Sequence, residues 1–372
     1  MTPRHVLIAT TARDVHATIV RRALQELGHS ATLWMTGDLP ETASASWTIS
    51  NDDDCALSAR QCDGPVLPDA ADVFWFRRTM QAGIDREMHP ADHAMALDET
   101  RAFVRGLLTT TSDRCISVND YRAAMAAEVK HTQLLAAKRI GLSIPDTLIS
   151  NDPARIREFI RRGGDNGTIY KPFNTAIWES PSSVAFSYTA VVAEDALPSD
   201  ATLRLTPGIF QRRIDKACEL RVTCMGRRTI AVRLDSQAVA GAEIDWRVSQ
   251  NASLRPSLVV LPPAIEAACQ ALLAALGLRF GCIDFVVTPQ GEYVFLEINQ
   301  MGQFLWVEDA NPGIPMLDAF VAFLLDPDCA TPPSESVFGL SFHEFAKEGQ
   351  EDLMRLQRIH RTPRQSASVH TE

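Results

Sequence analysis

Short apolar runs and amphipathic stretches alternate from the first residues onward. His5-Val6-Leu7-Ile8-Ala9 opens a strand over 5–10, the pattern over 12–28 predicts an amphipathic helix ending at Gly28, and 30–35 reads as a second strand. A βαβ start of this kind suits a small parallel α/β domain. Two short exposed strands follow within 45–62. The apolar strand Val73-Phe74-Trp75-Phe76 ends in Arg77-Arg78, and a long helix over roughly 91–112 leads to a strand at 115–118.

Asn119 and Asp120 are placed to cap a helix over 121–140 that stops at Gly141. After a loop and a strand near 149, Asp152-Pro153 pairs an N-cap with proline at the first helical position, and that helix reaches about 162. Thr168-Ile169-Tyr170-Lys171 is a strand, whereas 174–208 is polar and rich in small residues, expected to form a hairpin and mobile loops. From 209 the pattern is strand-rich, at 209–214, 219–225 and 228–235. Pro262-Pro263 opens a helix to about 276, and the last strong element is a helix near 316–325. Residues 329–372 are polar, with Pro and Ser, and the end of the chain is expected to be disordered.

Two runs between those helices carry the most chemistry. Gly281-Cys282-Ile283-Asp284-Phe285-Val286-Val287 and Val294-Phe295-Leu296-Glu297-Ile298-Asn299 are apolar, β-branched or aromatic, and flank Thr288-Pro289-Gln290-Gly291. They predict a hairpin in which Glu297 and Asn299 share a face. With the loop at 288–291, Asp284 lies opposite Phe295 and one diagonal step from Glu297, about 7–8 Å away. Apolar residues on both faces imply burial, and a buried carboxylate is costly unless paired or metal-bound. Two carboxylates and an amide oxygen suit Mg²⁺.

Composition narrows the setting. The chain has 372 residues, 46% of them hydrophobic, and a formal net charge of −10, which disfavours nonspecific nucleic-acid binding. No apolar run approaches the roughly 20 residues that span a membrane. A strand begins within a few residues of the N-terminus without a signal-peptide pattern, so a cytoplasmic enzyme is expected. The eight cysteines are scattered without a C-x-x-C spacing and are expected to be free, mostly buried thiols.

A metal held this way suggests a nucleotide, yet the phosphate loop G-x-x-x-x-G-K-[ST], the dinucleotide fingerprint and the kinase motifs are absent. Positive charge must come from elsewhere. Lys130, in a helix, and Lys171, closing a strand before Pro172, are candidates, although a solvated lysine explains the first as well. The stretch Gln211-Arg212-Arg213-Ile214 can offer backbone groups to an adenine edge, and Glu219 a carboxylate to ribose hydroxyls. A salt bridge of Glu219 with Lys216 or Arg221 is the equal alternative.

In the order Lys130, Lys171, hinge, Glu219, Arg247, Asp284, Glu297-x-Asn299, the chain resembles the ATP-grasp superfamily. More closely it is similar to the graspetide ligases, which tailor microviridin-type ribosomal peptides. The closer match lies in Phe74-Trp75-Phe76-Arg77-Arg78, in 210–222, in Asp245-Trp246-Arg247, and in 296–308 with its Gly302-Gln303-Phe304-Leu305-Trp306-Val307-Glu308. Gln300 replaces the proline usual after the asparagine, and the loop after Lys171 lacks the usual glycine.

The resemblance implies an α/β and α+β chain, an ATP-grasp fold behind an N-terminal α/β pre-ATP-grasp domain. Its divisions would be 1–120, a central subdomain at 121–208, a C-terminal subdomain with the Mg²⁺ site at 209–328, and a polar tail at 329–372. It implies ATP and Mg²⁺ as cofactors, with metal ligands Asp284, Glu297 and Asn299. Lys130 and Lys171 would lie on the α- and β-phosphates, and residues 211–214 with Glu219 on the nucleoside. Arg247 would meet the acceptor carboxylate, with Arg221 a lesser candidate for the same zone; a structural pair of Arg247 with Asp245 or Glu243 is the alternative.

The implied reaction activates Asp or Glu side chains of a precursor peptide as acyl phosphates. Ser, Thr or Lys of the same peptide then closes a macrocycle. Arg77, Arg78 and 174–208 are candidates for peptide contact, with a structural role for the two arginines as the rival reading. A homodimer is compatible with the resemblance, but no interface is readable. A RimK-like ligase adding a free amino acid is the runner-up, and a nucleotide-binding protein without catalysis is a third reading.

Overall fold

The structure is a computed structural model and describes residues 2–51, 56–66, 68–80, 83, 88–163, 166–173, 177–180, 183–186, 189–238, 255–327 and 335–362. Its N-terminal part contains β1 (His5–Ala9), α1 (Val15–Glu26), β2 (Ser30–Trp34), β3 (Ser44–Thr48), β4 (Ala56–Gln61), β5 (Gly64–Val66), β6 (Val73–Phe76), α2 (His93–Arg114) and β7 (Ile116–Val118). Strands β2-β1-β6-β7 form a parallel sheet, and β3-β4-β5 a small antiparallel one. Strand β6 is buried throughout, as its unbroken apolar run requires of a central parallel strand. Helix α1 starts at Val15, three residues later than the apolar pattern suggested, capped by Asp14, whose side chain accepts the His16 amide.

The middle of the chain folds as α3 (Tyr121–Glu128), α4 (Lys130–Arg139), β8 (Thr147–Ser150), α5 (Pro153–Arg161), β9 (Thr168–Lys171), β10 (Ile177–Ser180), β11 (Ser183–Phe186), β12 (Ala190–Val192), α6 (Asp200–Leu205) and β13 (Gly208–Arg212). Strands β12-β9-β13-β8 pair antiparallel, and β10 with β11 is the expected hairpin. The helix expected over 121–140 is interrupted at Val129, whose backbone is extended. Buried Gln133 compensates: its Nε2 donates to the Ala127 carbonyl at 2.7 Å and to the Ile298 carbonyl at 2.9 Å, and its Oε1 accepts from the Ile298 amide. Asp120 is the cap, through Ala123 N. Asn119 is not. Its buried amide accepts from the Arg279 and Phe280 amides and donates to the Phe280 and Gln300 carbonyls.

The rest comprises β14 (Cys218–Met225), β15 (Arg228–Leu234), β16 (Ser257–Val259), α7 (Pro263–Leu276), β17 (Phe280–Val287), β18 (Tyr293–Asn299), α8 (Leu305–Ala310), α9 (Met316–Leu325) and α10 (Phe342–Ile359). Strands β16-β15-β14-β17-β18 form an antiparallel sheet. One face packs on α7 and α4 through Val222, Cys224, Ile283, Phe285, Phe295 and Ile298. The other, at the end holding Met225 and Phe280, joins the N-terminal sheet through the wholly buried α9, where Phe320 lies 4.5 Å from Phe304, 4.7 Å from Trp75 and 5.0 Å from Phe280.

The sequence pattern ended its strong elements at 316–325, yet the polar segment carries a further helix at 342–359. Helix α10 begins with a Ser341–Glu344 capping box and lies on α1. Asp352 accepts from Arg21 at 2.6 Å and from Arg22 at 2.7 and 2.8 Å. Gly349 must be small, because a Cβ there would sit 2.5 Å from Ile19 Cγ1. Buried Asp318 of α9 accepts the Val337, Phe338 and Leu340 amides, fastening the approach to the helix. The sequence contained the signal in Ser341-x-x-Glu344 and in the apolar face of Phe345, Leu353 and Leu356, masked by a strongly polar composition. Replacing the fully buried Leu356 by Ala should lower unfolding stability by about 2–5 kcal/mol in denaturant titrations. An unchanged midpoint would mean that α10 does not pack in solution.

Candidate nucleotide and metal site

The β17–β18 hairpin differs from the simple register in one respect that governs the site. Phe285 faces Phe295, but Asp284 faces Glu297, with a bulge between. The extra residue, Leu296, restores the alternation that packing both phenylalanines in the α7 core would otherwise break. Asp284 is therefore directly opposite Glu297 rather than diagonal to it. On its other side Asp284 faces Arg221 of β14. Arg221 Nη1 donates to both carboxylate oxygens, at 2.8 and 2.9 Å, and Nη2 to the Gln303 carbonyl at 3.2 Å. Burial opposes the Arg221 charge, yet the Asp284 carboxylate outweighs it and lifts the pKa above the ordinary arginine value. Arg221 thus holds Asp284 and the Gln303 carbonyl while also lining the adjoining cleft.

Lys130 stands at the first position of α4, where the break at Val129 sets it over β18, and its Nζ lies 2.5 Å from Glu297 Oε2. Asn299 Nδ2 is 3.4 Å from Asp284 Oδ2. Lys130, Arg221, Asp284 and Asn299 line one cleft of about 1010 Å³, together with Arg78, Phe173, Met301 and Trp306. Lys171 ends β9 opposite Ile209, half-buried. Glu219 is two residues before Arg221, hence on the same face, and forms a shielded pair with Lys216 at 2.7 Å, one of the two arrangements its sequence allowed. Arg247, Asp245 and Trp246 lie outside the described residues.

The hinge differs from expectation. Gln211 is buried, with Nε2 on Thr147 Oγ1. Arg212 turns into the central unit: its guanidinium stacks 4.1 Å from the Phe159 ring and donates to the Phe159 carbonyl and to Thr168. The Arg212 and Arg213 amides are spent on the Asp146 and Gly167 carbonyls. An adenine edge on this stretch would thus have to use carbonyls at 212 and 213 rather than those amides. Among the described residues this leaves half-buried Ile214 with its amide unengaged by another backbone group.

Arg77 takes the structural alternative. It is fully buried, lies 3.2 Å from Asp14 and donates to the Met301 carbonyl at 2.8 Å. Burial lowers its pKa to about 10 against the pull of Asp14. Arg78 also meets Asp14 at 3.2 Å but is a third exposed and borders the cleft.

His16 was not foreseen. Its Nε2 accepts the Phe304 and Leu305 amides at 3.2 and 3.3 Å, at the start of α8. The same stretch carries Gln303, whose carbonyl also accepts Trp306 Nε1 at 3.1 Å. No local pattern marks such a histidine, because its partners are nearly 290 residues away. Gly302 needs its positive φ of 55° and its missing Cβ, which would lie 2.5 Å from the Phe280 ring.

Two antiparallel sheets joined by an extended stretch, with Asp284, Glu297 and Lys130 set together on one of them, match the ATP-grasp fold. The chain has that fold, in the form seen in ligases associated with ribosomal peptides. A RiPP-associated ATP-grasp ligase of Chryseobacterium gregarium, in complex with ADP and a leader and core peptide, matches at TM-score 0.77 and 26% identity, over 90% of this chain and 100% of that one. Macrocyclase MdnC of Microcystis aeruginosa, bound with precursor peptide MdnA, matches at TM-score 0.75 and 26% identity, over 87% and 99%. Macrocyclase MdnB of the same organism matches at TM-score 0.71 and 26% identity, over 87% and 100%. No protein-family model and no curated protein matches the sequence.

Burial, with Arg77 beside it, lowers the His16 pKa to about 3. The fold therefore favours neutral His16, a contribution full above an unfolded value near 6.5 and lost as pH falls toward 3. The imidazole should show no NMR titration between pH 5 and 8. His16→Ala, which strips two amides of their acceptor, should cost about 1–3 kcal/mol in denaturant unfolding.

Proposed function

We propose that this chain is an ATP-dependent ligase that activates Asp or Glu side-chain carboxylates of a ribosomal precursor peptide and joins them to Ser or Thr hydroxyls or Lys amines of the same peptide. The observation that carries the reading is likeness over nearly the whole of both chains to peptide-bound ligases, combined with the opposed Asp284 and Glu297. The division into an N-terminal unit at 1–120 and ATP-grasp subdomains at 121–208 and 209–328 belongs to the same reading. So does a cytoplasmic setting; no helix among the described residues is long and apolar enough to cross a membrane.

The donor set fits Mg²⁺. Asp284, Glu297 and Asn299 offer hard oxygen atoms on adjacent strands, and both carboxylates already face cations, Arg221 and Lys130. When bound, Mg²⁺ would supply charge neutralisation to the phosphates. Arg221 fixes the Asp284 carboxylate. Lys130, paired here with Glu297, and Lys171 are assigned to the α- and β-phosphate oxygens.

The γ-phosphoryl group passes to the peptide carboxylate, making a good leaving group of a poor one. Attack by the hydroxyl or amine then releases phosphate and forms the ester or amide. Arg247 is assigned to the acceptor carboxylate, where a planar, permanently charged fork suits the developing anion. Trp306 and Arg78, at the cleft border, are assigned to the peptide.

Incubation with ATP, Mg²⁺ and the acidic-core peptide encoded beside the gene should remove one water per ring in mass spectra. Gain of an amino-acid mass would instead establish the RimK-like activity, and absence of ATP turnover with any acceptor would overturn both. Glu297→Gln should reduce turnover at least about 100-fold with the circular dichroism spectrum unchanged.

A further inference from the structure

A second cluster of ligand-type side chains lies outside the cleft, where the end of α10 meets the N-terminal sheets. One ligand atom each from Asp38, Cys62 and His360 lies within 4.8 Å of the others. The three come from distant segments: the turn after β2, the turn between β4 and β5, and the residue following α10. Asp38 and the His360 side chain are fully buried, whereas Cys62 is exposed. His360 Nδ1 is 2.6 Å from Asp38 Oδ2, and Asp38 Oδ1 accepts the Arg361 amide at 2.9 Å. On the far side of the ring, His360 Nε2 lies 3.4 Å from Asp63 Oδ2 but makes no hydrogen bond, although it is buried. Asp63 is held through its other oxygen by Gln61 Nε2 at 2.9 Å.

We propose that Asp38, Cys62 and His360 form a binding site for a thiophilic divalent cation of the zinc class. The donor set of carboxylate, thiolate and imidazole is the mixed O, S, N set that zinc takes. Tetrahedral ligands with bonds of 2.0–2.1 Å stand about 3.3 Å apart, so the Asp38–His360 contact needs to open by only a fraction of an ångström to admit the ion. The ion displaces the proton shared by Nδ1 and Asp38 together with the Cys62 thiol proton, and both leave to solvent. The remaining Nε2–H then points at Asp63, giving the buried nitrogen its missing acceptor in the carboxylate–histidine–metal arrangement. Two anionic ligands balance the dication in a buried place, and exposed Cys62 provides the entry path and a solvent-facing fourth position. The ion would staple the end of α10 to the N-terminal sheets.

The test is titration of the full, chelator-stripped chain with Co²⁺ alone, then Zn²⁺. The expected result is one equivalent bound, with a thiolate-to-cobalt charge-transfer band that Zn²⁺ abolishes. Cys62→Ser, at an exposed position that should leave the circular dichroism unchanged, should remove the band and weaken affinity at least tenfold, and Glu297→Gln should leave both intact. His360→Gln should also remove the band; should that variant fail to fold, Cys62→Ser decides alone. Absence of a thiolate band in the unaltered chain, or a band that survives Cys62→Ser, would overturn the assignment.

Discussion

A row of alternating charges holds the site together: Arg221, Asp284, Glu297 and Lys130, each from a different element. Shielded charges are expensive unless each has a partner, and removing one leaves its neighbour uncompensated. The row therefore ties β14, β17, β18 and α4 into one register. A one-residue slip of β18 would send Glu297 into the apolar layer against α7 and bring Ile298 into the cleft. The bulge at Leu296 reconciles the two demands, keeping Phe295 in the core and Glu297 at the cleft. Lys130 completes the row only because the chain breaks at Val129, and Gln133 satisfies the backbone groups which that break and the edge of β18 expose.

This dependence explains which features were legible in the sequence. Elements set by local chemistry were readable: the Asp152-Pro153 start, the Pro262-Pro263 helix, the strand ending at Lys171 and the hairpin itself. Register was not, because it is decided by Phe285 and Phe295 packing against a helix elsewhere in the chain. The helix break was hidden for the same reason: Gln133 resembles any polar helix residue until β18 lies beside it. At the hinge, side-chain types suggested a ligand-facing run, yet Phe159 captures Arg212 and neighbouring carbonyls take two of the amides. Helix α10 was obscured because its charged face, which dominates composition, includes the Asp352 that binds α1.

The cleft also depends on the N-terminal sheet, through a histidine that must remain neutral. His16 can accept the Phe304 and Leu305 amides only while Nε2 carries no proton. Asp14 is close enough to encourage protonation, at 3.9 Å from Nδ1. Burial and Arg77 prevail over it, and Asp14 itself is kept ionised by Arg77 and Arg78 despite its own burial. Each arginine thus has two effects: it neutralises Asp14 and holds the proton off His16. Because His16 bonds the start of α8, and Arg77 the Met301 carbonyl, the turn carrying Gln303 is fixed from the N-terminal side. That turn supplies the carbonyl that holds Arg221 against Asp284. The placement of Asp284 on the C-terminal sheet is therefore set partly by residues almost 300 positions earlier, which makes the N-terminal sheet part of the cleft's construction rather than an appendage to it.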